Sequence, residues 1–237
     1  MCMTTRRLVS PPFLLSLFQV LLLLLFAPSL HAETPEETVS RLQKRYDEIQ
    51  SLTFDFNQDT RGQLSGRPKK GSGQAFFIKS GGEKKTGKMR WNYSAPDKQI
   101  LVSDGINFSM YFASLSQMIV TPSKALEQDL TYSFFTGSGN LLEDFTILPP
   151  DQPGKPGEST NVIKLIPKSK ASQVASIQLW VTSDSLIRRI AILDHFDTLT
   201  VLNFSKLEVN TLDPNDENLM NRLFSFTPPA GTEIIYQ

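Results

Sequence analysis

The sequence predicts an α+β fold, with one amphipathic helix followed by a long series of short strands. Three observations predict it. Apolar residues recur at spacings of three and four only near the start, and then alternate with polar ones in period two along most of the chain. Turn residues punctuate these alternating runs at regular intervals, as in a barrel or sandwich. Several runs are apolar on both faces, so the sheet they form must be covered on both sides. A curved sheet with helices plugged into its concave side satisfies all three.

Residues 1–32 carry an export address. Arg6 and Arg7 precede an apolar run from Phe13 to Phe26, and small Ala32 stands where a signal peptidase would cut. The run is short for a membrane span, which needs about 20 residues. The one cysteine, Cys2, precedes it, so no cysteine is placed at the cleavage point to accept a lipid. The exported part, residues 33–237, is then expected to be one domain held by its core, with no disulfide. It has 22 basic and 24 acidic side chains once Arg6 and Arg7 are removed.

Thr34-Pro35-Glu36-Glu37 is a helix start with a capping box, and Val39, Leu42, Tyr46 and Ile49 give that helix one apolar face. Leu52, Phe54 and Phe56 then alternate with polar neighbours, as do Met89, Trp91 and Tyr93. Gln99–Ser103 and Ile106–Phe112 flank Asp104-Gly105 and predict a hairpin. Ser123–Leu142 predicts one or two short helices with a Gly137-Ser138-Gly139 joint. The proline-rich stretch 149–159 predicts a surface loop. Strands are expected at Val162–Ile166, Val174–Thr182, Leu186–Leu193 and Leu199–Leu207. Adjacent Phe76 and Phe77 must point to opposite faces, as must Trp180 and its neighbours Leu179 and Val181.

Catalytic signatures are sparse. The exported part has one histidine, His195, in a turn context, and no Gly-x-Ser-x-Gly elbow, phosphate loop or dinucleotide fingerprint. One histidine and no cysteine leave no good zinc set. Glu143 and Asp144 are a carboxylate pair in what reads as an exposed turn. The segment Arg61–Arg90 holds nine basic residues and one acid, Glu83, which reads as a solvated face or as a docking surface for an acidic partner. Nucleic acid is not an expected partner outside the cytoplasm. No cofactor is expected, and the chain reads as a binder rather than an enzyme.

Several stretches in order resemble one family. They are Leu42–Ile49, then Ser51-Leu52-Thr53-Phe54-Asp55-Phe56-Asn57-Gln58, then Met89-Arg90-Trp91-Asn92-Tyr93 with Pro96, and Ile100-Leu101-Val102-Ser103-Asp104-Gly105. Ala125-Leu126 and Phe224-Ser225-Phe226-Thr227-Pro228-Pro229-Ala230-Gly231 complete the set, the last as a closing strand and turn. Together they resemble the outer-membrane lipoprotein carriers (LolA-type) of Gram-negative bacteria. The resemblance implies a half-open antiparallel β-barrel with helices closing its concave face. It implies a monomeric periplasmic carrier that takes triacylated lipoproteins from an ATP-driven inner-membrane transporter to an outer-membrane acceptor lipoprotein. On this reading Leu52, Phe56, Met89 and Trp91 line the concave face, Leu42 and Tyr46 join from the first helix, and Leu126, Phe134 and Phe135 from the lid. The family's lid-holding arginine precedes a proline. The matching spacing here falls on Lys85 followed by Thr86, which leaves Lys85, Arg90 or another group to hold the lid. Three other readings stay open. One is a carrier of a glycolipid or phospholipid, one a hydrolase built on His195 or a carboxylate pair, and one an adaptor docking through residues 61–90.

Overall fold

A computed structural model of the protein describes residues 33–62, 67–79, 87–128, 130–137, 139–151, 159–169 and 172–237. The expected signal segment, Lys85 and most of the 149–159 loop lie outside the described residues. Thr34–Gln237 forms one compact unit.

The first helix, α1 (Pro35–Glu48), begins as its sequence demands. The Thr34 hydroxyl accepts the Glu37 N–H at 3.2 Å, and the Glu37 carboxylate accepts the Thr34 N–H at 2.8 Å. Pro35 fits the first turn, where no N–H is needed. Val39, Leu42 and Tyr46 on one face, with Ile49 at the C-cap, are buried. Arg41 ties α1 down by donating to the Thr182 and Ser183 carbonyls and to the Ser185 hydroxyl.

Twelve strands follow. The first six are β1 (Ser51–Arg61), β2 (Lys69–Ile78), β3 (Lys88–Ala95), β4 (Gln99–Ser103), β5 (Asn107–Phe112) and β6 (Gln117–Pro122). After short helices come β7 (Phe145–Leu148), β8 (Thr160–Pro167), β9 (Val174–Thr182), β10 (Ile187–Asp194) and β11 (Leu199–Val209), with β12 (Glu233–Tyr236) at the C-terminus. They form one sheet in the order β12-β6-β5-β4-β3-β2-β1-β11-β10-β9-β8-β7. Neighbours are antiparallel except β12 and β6, which are parallel. The sheet is not closed: its edges are the four-residue strands β12 and β7, short as edge strands tend to be. This is the expected half-open barrel with one parallel pair added.

Bulges bend the sheet. The β2–β3 register shifts at Ser72/Gly73, and a Cβ on Gly73 would stand 1.9 Å from the Asn92 carbonyl oxygen. Only glycine lets the two backbones approach so closely.

Alternation sorts the side chains into two cores. Phe54, Phe56, Phe77, Met89 and Trp91 face inward, into a cluster shared with α1. Ile78, Ile100, Val102, Tyr111 and Met118 face outward, with Phe76 against them. Phe76 and Phe77 therefore diverge as expected. The outer cluster is covered by a helix of residues Glu217–Phe224 (α4 below), through Met220 and Phe224.

That helix corrects the expected closing strand. Asp216 caps it by accepting the Leu219 N–H, and Leu219, Met220, Leu223 and Phe224 make its apolar stripe. Phe224 is thus its last residue, and the closing strand begins only at Glu233, after Gly231 turns the chain at φ +84°. Arg90 secures the seam. Its Nη1 donates to the Leu223 carbonyl at 2.8 Å and the Ser225 carbonyl at 3.3 Å, and its Nε donates to the Asn92 amide oxygen. The guanidinium also lies 5.9 Å from the Phe226 ring centre.

The basic stretch is not one face. Arg61 pairs with Asp59, Lys79 is mostly buried, Arg90 works under α4, and Arg67, Lys69 and Lys70 are exposed. Replacing Arg90 by Met is expected to cost about 1.5 kcal/mol of stability in urea titration, the low end for hydrogen bonds from a charged group because the side chain is half exposed. Amide exchange in Glu217–Phe224 should rise before that of the inner strands.

Candidate functional site

The short helices between β6 and β7 form a lid. A 3₁₀ helix (Ser123–Gln128) leads into α2 (Leu130–Thr136), and α3 (Leu141–Asp144) completes it. Asn140 caps α3 by accepting the Leu142 and Glu143 N–H groups, so the carboxylates Glu143 and Asp144 belong to a single helical turn.

From α2 two phenylalanines enter the barrel. Phe134 lies 4.6 Å from the Tyr46 ring centre. Phe135 lies 4.9 Å from Phe77, 5.8 Å from Phe54 and 6.1 Å from Phe204. Phe54 in turn meets Phe204 at 4.4 Å, and Trp91 meets Phe56 edge-on at 4.7 Å. The Tyr46 hydroxyl accepts the Ile187 N–H at 3.2 Å, and burial pushes its pKa well up, so it remains a neutral phenol.

The structure gathers the nine residues expected at the cavity into this one cluster. Leu42, Tyr46, Leu52, Phe56, Met89, Trp91, Phe134 and Phe135 are buried in it, and Leu126 packs against it partly buried. Phe54, Phe77 and Phe204 belong with them. Phe54 shares the parity of Leu52 and Phe56, the signal that would have found it.

With the lid in place, little space is left at the centre. A void of about 30 Å³ lies between Phe134, Phe135, Leu179 and Ile190. A larger pocket of about 290 Å³ lies beside the lid, lined by Met89, Trp91, Tyr93, Leu101, Phe108, Leu126, Tyr132, Leu202 and Gln58. Its Met89, Trp91, Phe108, Tyr132 and Leu202 are buried, while Gln58, Tyr93, Leu101 and Leu126 are partly exposed. Its open side therefore includes Gln58 and Tyr93. There the Tyr93 hydroxyl donates to Gln58 Oε1 at 2.8 Å, and burial pushes its pKa up to about 12.

Three contacts seat the lid. The Tyr132 hydroxyl donates to the Gly87 carbonyl at 3.1 Å. Gly87 lies so close to α2 that a Cβ there would stand 2.4 Å from Thr136 Cβ. Lys79, directly after β2, reaches the end of α1, where its Nζ donates to the Tyr46 carbonyl at 3.3 Å and the Asp47 carbonyl at 2.5 Å. A cation suits these last carbonyls of a helix. Its stem lies against Gly137 at the end of α2, where a Cβ would meet Lys79 Cε at 2.3 Å.

Lys79, which the sequence reading did not single out, joins the end of α1 by these bonds and packs against Gly137; Lys85 lies outside the described residues. Arg90, the other residue considered for the lid, is corrected. It lies between Met89 and Trp91, so its side chain points to the outer face and bonds α4. His195 stands exposed in the β10–β11 turn.

These elements define a lidded, half-open barrel with an apolar interior. The family model described as outer membrane lipoprotein carrier protein LolA matches residues 47–227. An outer-membrane lipoprotein carrier protein of Methylococcus capsulatus is 32% identical over 91% of this chain and 94% of its own length. One from Nitrosomonas europaea is 33% identical over 70% of this chain and 73% of its own. The chain belongs to the outer-membrane lipoprotein carrier family. Among solved structures, a LolA superfamily protein of Nitrosomonas europaea is similar at a TM-score of 0.40 and 15% identity, over 82% of this chain and 99% of that one.

The tight fit at Gly87 carries a prediction. Gly87→Val should push α2 off its seat and lower the stability of the empty protein by about 1–3 kcal/mol, as overpacking does. Urea titration would read the loss, and a fluorescent apolar dye should bind the variant more than the parent.

Proposed function

We propose that this protein carries the acyl chains of triacylated lipoproteins through the periplasm, from an ATP-driven inner-membrane transporter to an outer-membrane acceptor lipoprotein. The observation that supports the reading is the aromatic plug: an apolar interior filled by Phe134 and Phe135 of the short helices, which we take to be displaced by cargo. Residues 1–32 serve as the export signal, and the carrier works as a monomer without hydrolysing its cargo.

Magnitudes favour displacement. Each buried methylene is worth about 0.8 kcal/mol, so one long acyl chain represents on the order of 10 kcal/mol. Burying Phe134 and Phe135 stabilises the closed lid by about 1.5–3 kcal/mol each. A single chain thus outweighs the plug, and the cost of opening keeps net affinity low enough for release. The present pocket of about 290 Å³ lies at the lower limit for a small-ligand site, about 300–1,000 Å³, so larger cargo requires the lid to move.

In this reading Lys79 is the latch. Lys79→Met weakens the closed state, so dye or lipid should bind the variant more tightly than the parent in a fluorescence titration.

The direct test adds residues 33–237 to energised spheroplasts of the host. A triacylated lipoprotein should appear in the soluble fraction bound to the protein, and Trp91→Glu, which puts a charge in the concave wall, should abolish its release. A bound phospholipid or glycolipid in native mass spectrometry, with no lipoprotein released, would replace the cargo and keep the cavity.

A further inference from the structure

The hairpin joining β10 and β11 holds Phe196 in solvent, 80% exposed. One exposed apolar residue is ordinary, but the construction around this one is rigid. Asp194 Oδ1 accepts the N–H groups of Phe196 and Thr198, both at 2.8 Å. The Asp194 N–H donates to the Thr198 carbonyl at 3.1 Å, and Asp197 turns the chain at φ +58°. The His195 N–H donates to the Gln173 carbonyl at 3.3 Å, tying this hairpin to its neighbour. The backbone that carries the ring is therefore held by a dense set of bonds, which lowers the entropic cost of using this turn for contact.

Its surroundings have a consistent character. Leu199, the first residue of β11, is 37% exposed and pairs with Arg61 of β1. Thr60 of β1 pairs with Lys69 of β2 and with Thr200 of β11, its hydroxyl 3.2 Å from that of Thr200. The ends of β11, β1 and β2 thus lie side by side, about 5 Å apart. Beyond β1, exposed Lys69 and Lys70 stand opposite Thr60 and Asp59, with exposed Arg67 two residues before Lys69. Of the acids at these ends, Asp59 pairs with Arg61 and Asp194 is engaged within the turn, while Asp197 beside Phe196 is exposed.

The same rim carries the mouth of the pocket. Gln58 and Leu202 line it and pair with each other. They stand three residues from Arg61 and Leu199 along their strands, or about 10 Å.

We propose that this rim is a membrane-docking surface, with Phe196 and Leu199 entering the headgroup boundary of an anionic bilayer and Lys69 and Lys70 meeting its phosphates. The purpose of such docking rests on the carrier reading, because it would set the pocket mouth against the membrane that gives or receives the acyl chain. The binding itself does not depend on that reading. One aromatic ring and a few cations give weak, reversible attachment, well short of a stable anchor. That suits a protein that must leave again.

The test is flotation of the exported chain, residues 33–237, with vesicles of phosphatidylglycerol and phosphatidylethanolamine, against vesicles of phosphatidylcholine alone. The protein should float with the anionic vesicles only, and less as salt is raised. Phe196→Ser should weaken this about tenfold, by loss of the buried ring, with an unchanged urea midpoint because the residue is exposed. The paired change Lys69→Glu with Lys70→Glu should weaken it and remove most of its salt dependence. Ile106→Ser, an exposed residue at the opposite rim, should float like the parent. No flotation of the parent with anionic vesicles, or equal flotation of Phe196→Ser, overturns the proposal. Spheroplast release run on the same protein separates the two readings. Release without flotation removes the docking surface alone, and flotation without release removes the carrier alone.

Discussion

An apolar barrel interior cannot stand open in water, because its wall would draw other chains into aggregation. The contact of Phe134 and Phe135 with Tyr46, Phe54 and Phe77 answers this constraint. Most other features near the barrel's interior follow from the need to seat those two rings. The first helix places Tyr46 under them and is itself fixed by Arg41 to the β9–β10 turn. Gly87 lets α2 approach β3, and Lys79 binds the ends of α1 and α2 to the end of β2. The seal combines dispersion among rings with a few charge-assisted bonds at its margins. That division matters physically. Ring contacts can be replaced by methylene contacts of equal quality, whereas the marginal bonds must be broken outright when α2 leaves.

The sheet also has an outer problem. Strands β2, β4 and β5 carry apolar residues on both faces and β6 on its outer face, so the lid alone would leave apolar surface uncovered. The C-terminal segment solves it by laying α4 across the outer face and then adding β12 in parallel to β6. Arg90 is the one residue of the inner-lining strand β3 whose bonds reach that segment. The wall that carries Met89 and Trp91 is thereby braced from behind. The helices that carry Phe134 and Phe135 thus pack on a wall supported from its other face.

Much of this was legible because alternation is a strict rule. It placed Leu52, Phe56, Met89 and Trp91 on one face, and it separated Phe76 from Phe77. The same alternation sets Phe54 with Leu52 and Phe56 and sets Arg90 opposite Met89 and Trp91, although the expected cavity leaves out Phe54 and Arg90 is among the groups considered for the lid. What failed did so where tertiary contacts override local pattern. Phe224-Ser225-Phe226 alternates like a strand, yet the Asp216 cap and the outer apolar face make Phe224 the end of a helix. The bonds of Lys79 to the end of α1 were hidden because they join residues more than 30 positions apart. The parallel pairing of β12 with β6 joins residues more than 100 positions apart, and no local signal announces it.

The wall of the pocket changes character toward its mouth. Deep within it, Trp91, Phe108 and Met89 offer only apolar surface, while at the open side the Tyr93 hydroxyl bonds Gln58. With its pKa pushed up to about 12 by burial, that phenol stays protonated at any physiological pH and keeps donating. A ligand apolar along its whole length would gain nothing from a polar pair there and would pay to desolvate it. A ligand with an apolar tail and a polar head matches the gradient from end to end. In the carrier role proposed above, that gradient suits an amphiphile entering tail first, with its head left at the polar side.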